Sequence, residues 1–332
     1  MNLPISQNKI IAPWKKILRT NFTNVEKLAS FLDLNEQSKE LILKRSKFPL
    51  NLPLRLAEKI NKNDLNDPIL MQFLPTTEET KISNGFVNDP VGDSNCRSSS
   101  KLLHKYEGRV LLVTTSACAM HCRYCFRQNF DYDVSQNHLF ADELQLIASD
   151  STIHEVILSG GDPLSLSNDI LKSLVEKLQQ NTHIKRLRFH TRFPVGIPER
   201  IDEEFISIIE NSGLQTWFVL HINHYNELDD EIFSRVKLLQ RAGAIVLNQS
   251  VLLRGINDNA DTLVKLSEML IDRGILPYYL HQLDKVQGAA HFEVREEKGL
   301  QLIQEISKKL PGYGVPKYVR EIEGEPNKTT IN

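Results

Sequence analysis

The stretch Cys118-Ala119-Met120-His121-Cys122-Arg123-Tyr124-Cys125 holds three of the four cysteines of this chain within eight positions. Thiolates are soft ligands, and in proteins they select zinc or iron–sulfur clusters. A closed zinc site takes four ligands, and no further cysteine follows this stretch to supply another pair. Three cysteines on one loop can instead hold three irons of a [4Fe–4S] cube. The fourth iron is then open to a ligand, as the metal of a catalytic site must be.

Two other interpretations of the same cysteines remain open. A structural zinc ion could be completed by His121 or by Cys96, which lies upstream in a polar stretch. The thiols could also be plain buried or redox-active cysteines. Cys96 itself is expected to be unligated, because it is remote in sequence from the other three.

Size and composition place the chain among ordinary globular proteins. It has 332 residues, of which 41% are apolar and 25% charged, and its formal charge is −2. That balance gives no electrostatic sign of a nucleic acid or a membrane surface as a partner. Residues 1–13 lack the apolar core of a signal peptide, and no apolar run is long enough to span a membrane. Few cysteines and no signal peptide predict the reducing cytoplasm.

The first 103 residues predict a mainly helical extension that ends in a linker. Apolar residues from Trp14 to Leu18 and from Val25 to Leu32 recur at helical spacing. Residues 84–100 are rich in Gly, Asp, Asn and Ser, which indicates a loop or linker. We therefore divide the chain into an extension at 1–103 and a catalytic core at 104–328.

After residue 105, short apolar strands alternate with amphipathic helices. This order is typical of a parallel sheet with right-handed crossovers, and six strands are too few to close an eight-stranded barrel. The predicted fold is therefore α/β, a partial (β/α)6 barrel of the TIM type. The predicted strands are residues 109–114, 155–158, 186–190, 216–221, 244–248 and 277–281.

Polar side chains follow every one of these strands. Barrel enzymes place their active sites at the C-terminal ends of the strands, so the pattern predicts an enzyme. The cysteine stretch follows the first strand and Gly160-Gly161-Asp162 follows the second. The later strands end at His190, His221, Asn248-Gln249-Ser250 and His281.

The spacing C-x3-C-x2-C, with Tyr124 before the last cysteine, resembles the signature of radical S-adenosylmethionine (SAM) enzymes. In those enzymes the open iron binds SAM and the cluster cleaves it to a 5′-deoxyadenosyl radical. The resemblance implies that Gly160, Gly161 and Asp162 bind the SAM amino group. On the residues alone they could equally form a tight turn between strand and helix.

A narrower resemblance covers residues 85–332. Residues 102–106, 109–111, 122–127, 158–164 and 248–253 are similar to the lysine 2,3-aminomutase family. Within it, residues 277–281, 283–292 and 324–328 are most similar to the branch that makes (R)-β-lysine. In that branch a separate ligase attaches the product to a lysine of translation elongation factor P (EF-P).

The resemblance gives Lys328 a role that its position near the C-terminus would not suggest, since such a lysine is normally a solvated charge. The aminomutases carry pyridoxal phosphate (PLP) on a lysine that follows a glycine-rich turn, here Gly324 to Pro326. The other implied roles are a carboxylate clamp (Arg127), two acids for the substrate's distant ammonium (Asp284 and Glu321), partners of the PLP phosphate (Lys105 and Arg109) and residues lining the SAM side (His221 and Gln249).

The resemblance therefore implies a radical SAM, PLP-dependent isomerase that acts on lysine and needs an electron donor, with no nucleic acid and no membrane as partner. One alternative is a free-standing lysine or glutamate 2,3-aminomutase of amino-acid metabolism. Another, from a different class, is an iron–sulfur or zinc protein that senses redox state. The chain departs from the larger aminomutases at Tyr124, where they commonly have histidine, and at Glu321, where aspartate is usual. It also lacks their long C-terminal tail, which puts their tetrameric assembly in doubt.

Overall fold

The computed structural model describes residues 12–133 and 139–332, and it begins with the helical extension. Residues 1–11 of the predicted extension lie outside the described residues. Two asparagines start helices here: the Asn24 side chain accepts from the Lys27 amide and that of Asn35 from the Ser38 amide, both at 2.8 Å. The four helices are α1 (Pro13–Leu18), α2 (Val25–Phe31), α3 (Glu36–Glu40) and α4 (Leu54–Glu58).

A ten-stranded sheet follows, with its strands in the order of the chain. Strands β3 to β9 run parallel, whereas β1 and β2 at one edge and β10 at the other are antiparallel to their neighbours. The strands are β1 (Arg97–Ser99), β2 (Leu102–Tyr106), β3 (Arg109–Thr115), β4 (Glu155–Gly160), β5 (Arg186–Thr191), β6 (Gln215–His221), β7 (Ile245–Val251), β8 (Leu276–His281), β9 (Lys317–Arg320) and β10 (Thr329–Thr330).

A helix follows each strand from β3 to β8, so the predicted partial barrel of six β/α units is confirmed. The six predicted strands are β3 to β8, whereas β1, β2, β9 and β10 were not predicted. The helices are α5 (Ala141–Ser149), α6 (Asn168–Gln179), α7 (Phe193–Gly196), α8 (Glu203–Glu210), α9 (Asp230–Arg241), α10 (Ala260–Ile271) and α11 (Glu296–Ser307).

The strands divide their side chains between an outer core and the barrel interior. Phe189 of β5 stacks on Phe218 of β6 with ring centroids 4.8 Å apart, and both meet Phe205 of α8. These rings form the layer between sheet and helices. Because successive side chains of a strand point to opposite faces, His190 and His221 point into the barrel.

The helical extension shares the main hydrophobic core with the barrel. Trp14 of α1 meets Phe193 of α7 edge to face, with centroids 5.4 Å apart, and both side chains are buried. The predicted boundary at residue 103 falls within β2, and the division of the chain into two parts stays a prediction. In the described part of the chain, none of the helices has the length and apolar character needed to cross a membrane.

Candidate active site

The cysteine loop, residues 116–127, follows β3 and is held by the helical extension. The backbone amides of His121 and Arg123 donate to the carbonyl oxygens of Asn51 and Gln72, each at 2.9 Å. The Asn51 side chain donates in turn to the Cys118 carbonyl at 3.1 Å. The extension, whose role the sequence did not reveal, therefore fixes the shape of the loop that carries the thiols.

The two glycines after β4 bring that strand against the cysteine loop. The amide of Gly161 donates to the Thr115 carbonyl at 2.6 Å, and the next amide, that of Asp162, donates to the Ala117 carbonyl at 2.8 Å. A Cβ atom on Gly161 would lie 2.3 Å from the Ala117 oxygen, closer than any real contact. Glycine is needed here because the two backbones touch.

The carboxylate of Asp162 is buried and committed to the protein. It accepts from the Thr191 hydroxyl at 2.8 and 2.9 Å and from the amides of Arg192 at 2.8 Å and of Phe193 and Leu164 at 3.0 Å. Burial raises its pKa, and these bonds oppose that rise. The predicted contact of this motif with SAM stays a prediction.

The three thiols of the loop lie close enough to influence one another. Burial raises the pKa of Cys118, and Asp162, Cys125 and Cys122 raise it further. Burial, followed by Cys122, raises the pKa of Cys125 to about 11. No set of three His, Cys, Asp or Glu side chains in residues 12–133 and 139–332 is arranged around a single metal ion. A four-iron cube is larger than one ion, and each thiol binds a different iron.

The side chains considered for a zinc site have other neighbours. His121 Nδ1 lies 2.9 Å from the Pro49 carbonyl oxygen, and its ring stacks on Phe48 with centroids 4.8 Å apart. Cys96 lies in a short 3₁₀ turn, where burial raises its pKa and the charge of Lys105 opposes that rise. That Cys96 is unligated stays a prediction.

Four predicted site residues meet where the first and last strands of the sheet approach each other. Glu321, which follows β9, accepts from Lys328 Nζ at 2.6 Å and pairs with Lys105 Nζ at 2.8 Å. The Tyr106 hydroxyl donates to the same carboxylate. Asp284 lies near this cluster, since the charges of Lys328 and Glu321 both act on it.

The two carboxylates there have opposite pKa shifts. Burial alone would raise the pKa of Glu321, but Lys328, Lys105 and Tyr106 outweigh it and lower the pKa to about 2. Burial raises the pKa of Asp284 to about 7, because Lys328 offsets it only in part and Glu321 adds to it. Glu321 is therefore a permanent anion with partners, whereas Asp284 is poised between its neutral and charged forms.

Arg127 connects the cysteine loop with the barrel interior. Its Nε donates to Asp93 at 2.7 Å and one terminal nitrogen donates to the Ser159 hydroxyl at 3.2 Å. Only 8% of the side chain is exposed. Its remaining N–H groups have no hydrogen bond to any described residue, which leaves a guanidinium edge for a ligand.

The other predicted residues lie at different heights along the barrel strands. Arg109 begins β3, at the end remote from the cysteine loop, and stacks on Tyr106 with 4.6 Å from guanidinium carbon to ring centroid. His221 ends β6 and contacts the Tyr124 hydroxyl at 2.8 Å, beside Gln249 on the neighbouring strand. The structure thus brings Lys105, Asp284, Glu321 and Lys328 together and places Arg109 apart from the thiols.

Comparison with known proteins decides the family. Residues 106–196 match the family model described as a 4Fe-4S single cluster domain. The chain is 42% identical over 319 residues to the L-lysine 2,3-aminomutase of Haemophilus influenzae, covering 95% of this chain and 94% of that protein. It is 41% identical over 323 residues to the L-lysine 2,3-aminomutase of Escherichia coli, covering 96% and 94%. The chain belongs to the L-lysine 2,3-aminomutase family.

Membership of the L-lysine 2,3-aminomutase family confirms that the chain is an enzyme, an isomerase. The matching 4Fe-4S domain confirms the predicted cluster, because it includes the cysteine loop. The same membership supports SAM and PLP as the other two cofactors.

The aminomutase site includes buried groups that the sequence analysis did not assign. The Nε2 atoms of His190 and His281 are buried and have no hydrogen-bond partner among the described residues. Burial, together with positive charges that include Lys328, lowers the pKa of both rings well below the usual range. Unpaired nitrogens beside Lys328 fit a cofactor bound there. The signal was present, since each histidine ends or nearly ends a strand.

Proposed function

We propose that this aminomutase moves the α-amino group of L-lysine to the β-carbon and releases (R)-β-lysine for the modification of EF-P. The observation that carries the proposal is the charge pattern of the barrel. Arg127 offers a guanidinium edge near Ser159, and Asp284 and Glu321 surround Lys328. A diamino acid has the complementary pattern, a carboxylate at one end and a distant ammonium at the other.

Arg127 binds the substrate carboxylate in this proposal. A guanidinium held through Nε can present its two terminal nitrogens to a carboxylate in a bidentate manner. Asp93 accepts a hydrogen bond from the Nε–H group, so the orientation of the two terminal nitrogens is fixed before the substrate arrives. In the same proposal, Asp284 and Glu321 bind the distant ammonium of the substrate. They favour lysine over glutamate, because both would repel a side-chain carboxylate.

Lys328 exchanges partners when the cofactor is present. Its ammonium now sits on Glu321 at 2.6 Å, the oxygen that the substrate ammonium is proposed to occupy. Lys328 would hold PLP through this nitrogen, which would leave that oxygen open to the substrate. Lys105 keeps the other oxygen of Glu321 paired throughout, and with Arg109 it offers positive charge toward the cofactor phosphate.

The cofactors supply the difficult chemistry and the barrel supplies position. When bound, the cluster and SAM provide a carbon radical, and PLP delocalises the radical formed on the substrate. Cys118, Cys122 and Cys125 hold the cluster at one end, and Gly160, Gly161, Asp162, His221 and Gln249 line the SAM side. The buried strand ends around His190 and His281 exclude water from the space between.

The link to EF-P rests on the similarity of residues 277–292 and 324–328 to the EF-P branch. It implies that the enzyme works in the cytoplasm, where translation takes place, and that a separate ligase uses its product. The cluster in turn requires an electron donor.

The activity is tested with protein reconstituted without oxygen and supplied with SAM, PLP and dithionite. We expect lysine to give β-lysine of a single hand, measured by chiral chromatography, and glutamate to give no product. A colourless zinc-containing protein, or one that leaves lysine unchanged, would refute the proposal.

The EF-P link is tested separately by adding EF-P and its ligase to the reaction. Mass spectrometry should show EF-P modified faster with the aminomutase present than with L-lysine alone. Equal rates would favour the free-standing aminomutase of amino-acid metabolism.

A further inference from the structure

A buried arginine contacts one of the thiols of the cysteine loop. Arg192 follows β5 directly and is 6% exposed. One terminal nitrogen donates to Cys122 Sγ at 2.7 Å and to the Tyr124 hydroxyl at 2.6 Å. The other donates to Gln72 Oε1 and Glu227 Oε2, both at 2.6 Å. All four terminal N–H bonds of the guanidinium therefore have a partner.

Glu227 neutralises this arginine and is itself rigidly held. It is fully buried, and its other oxygen accepts from the amides of Asn223 and His224, each at 2.9 Å. A buried charge needs a partner, and removing one member of such a pair leaves the other uncompensated. Arg192 and Glu227 therefore form a fixed dipole whose positive end points at Cys122.

The Tyr124 hydroxyl extends this hydrogen-bond network from Arg192 to His221 in the barrel. It accepts from Arg192 at 2.6 Å and from the Asn223 amide group at 2.5 Å. Its own proton has two acceptors within reach, Gln72 Oε1 at 3.3 Å and the nearer His221 Nε2 at 2.8 Å. Burial, and after it the charge of Arg192, lowers the pKa of His221 well below the usual range, so the ring is neutral and can accept. The residue that replaces the usual histidine of the larger aminomutases thus completes the hydrogen bonding around Arg192.

We propose that Arg192 is a positioning residue for the iron–sulfur cluster. Its N–H···S bond fixes Cys122, and its positive charge, partly neutralised by Glu227, sets the reduction potential of the cluster. Hydrogen bonds to cluster sulfurs and nearby positive charge both stabilise the more negative reduced form. Removal of Arg192 therefore lowers the potential, and removal of the Glu227 charge raises it. The proposal rests on the cluster of the proposed function and is independent of the substrate.

The helical extension also supplies residues that contact Arg192. Gln72 receives one of the Arg192 bonds, and Phe73 packs under the guanidinium with 4.8 Å from its central carbon to the ring centroid. Both residues are fully buried. The extension thus holds the cysteine loop and also the arginine that faces it.

The test measures the midpoint potential of the reconstituted protein by electron paramagnetic resonance, without SAM, PLP or lysine. We expect Arg192→Met to shift the potential to more negative values and Glu227→Gln to shift it to more positive values. Arg200→Met is the matched control. Arg200 is also fully buried, but it donates to the carbonyls of Leu164 at 2.6 Å and Leu166 at 3.1 Å.

Arg192→Lys covers the case in which the methionine variant fails to fold. Lysine keeps the positive charge but lacks the guanidinium group and its several hydrogen bonds. We therefore expect a smaller negative shift of the midpoint potential. If both Arg192 variants lose iron while Arg200→Met retains it, Arg192 is shown to hold the ligand, and Glu227→Gln then decides the potential. Wild-type potentials in both Arg192→Lys and Glu227→Gln would overturn the proposal, as would an equal shift in Arg200→Met. An iron-free wild-type protein would refute the cluster itself, whereas failure to turn over lysine would leave the measured potentials standing.

Discussion

The two ends of the barrel opening are held by different kinds of contact. At the cluster end, Asp162 and Arg192 are buried and bonded to neighbours that stay with the protein. At the lysine end, Glu321 is paired with Lys328 and Lys105, two cations of the chain itself. The cluster end therefore has partners that stay in place, and we call it the fixed end. The lysine end has partners that can be exchanged, and we call it the exchangeable end.

This difference corresponds to what each end has to do. A cluster stays bound through many turnovers, so preorganised hydrogen bonds at Cys122 are an advantage. A substrate has to enter and leave, so its ammonium must replace an ion of similar charge at low cost. The ion pair with Lys328 keeps the buried carboxylate of Glu321 compensated until then.

The strongest test of the exchangeable end is Lys328→Ala. We expect the absorbance band of lysine-linked PLP to disappear and turnover to fall by roughly 10³-fold or more, because the amine proposed to bond the cofactor is gone. Iron content should stay at the wild-type level, since the thiols lie at the other end. Absorption spectra and iron assays on the same sample measure both.

Lys317→Ala is the matched control for that experiment. Lys317 is an exposed lysine on β9, close in sequence to Glu321. It should keep the band and the activity. A lysine-linked PLP band that survived in Lys328→Ala would show that another lysine carries the cofactor.

The cluster end was largely readable from sequence because its residues are close together in the chain or end strands. The cysteines lie within eight positions, and the alternation of strands and helices placed that loop beside Gly160 and Gly161. What could not be read was Arg192 facing Cys122. The two residues are 70 positions apart, and an arginine after a strand carries no signal of its own partner.

The lysine end was not readable in the same way. Glu321 and Lys328 follow β9 and flank β10, and both strands were missed because they have only four and two residues. The roles of these residues came from resemblance to a family, not from any pattern. The segment before β1 read as a linker, yet its Asp93 holds Arg127 at 2.7 Å. A polar composition predicts a loop but not which buried charge the loop satisfies.

Asp284→Asn is the next largest test of the exchangeable end. The amide removes the carboxylate that is proposed to pair with the substrate ammonium, while the residue keeps its shape. We expect the KM for lysine to rise about 30-fold, as a loss of roughly 2 kcal/mol implies, with a smaller change in kcat. Asp258→Asn, at a partly buried carboxylate paired with Lys298, should change neither constant. An unchanged KM in Asp284→Asn would remove this residue from the substrate site.

The pH dependence of the wild-type KM follows from the same carboxyl group. Burial raises the pKa of Asp284 to about 7, so below that pH the free enzyme holds a proton that an incoming ammonium must displace. The KM should therefore rise as the pH falls below about 7, approaching tenfold per unit, and be constant above it. Glu321, with a pKa of about 2, stays charged over this range and adds no such dependence. The Asp284→Asn variant should lose the slope, and a wild-type KM that is flat down to about pH 6 would contradict the assignment.

The smallest expected effect concerns the fixed end, at Gly161. A methyl group there would lie 2.3 Å from the Ala117 carbonyl oxygen, and the backbone that carries Cys118 would have to move. We expect Gly161→Ala to lower the free energy of unfolding by about 1–3 kcal/mol and to reduce iron content severalfold at most, with PLP binding at Lys328 retained. Gly312→Ala is the control, because a Cβ atom there meets nothing within 4 Å. Thermal unfolding and iron assays check both variants. Loss of PLP binding in Gly161→Ala would show that the two ends are coupled, whereas wild-type iron content and stability would show that the cluster end is less rigidly fixed than its contacts indicate.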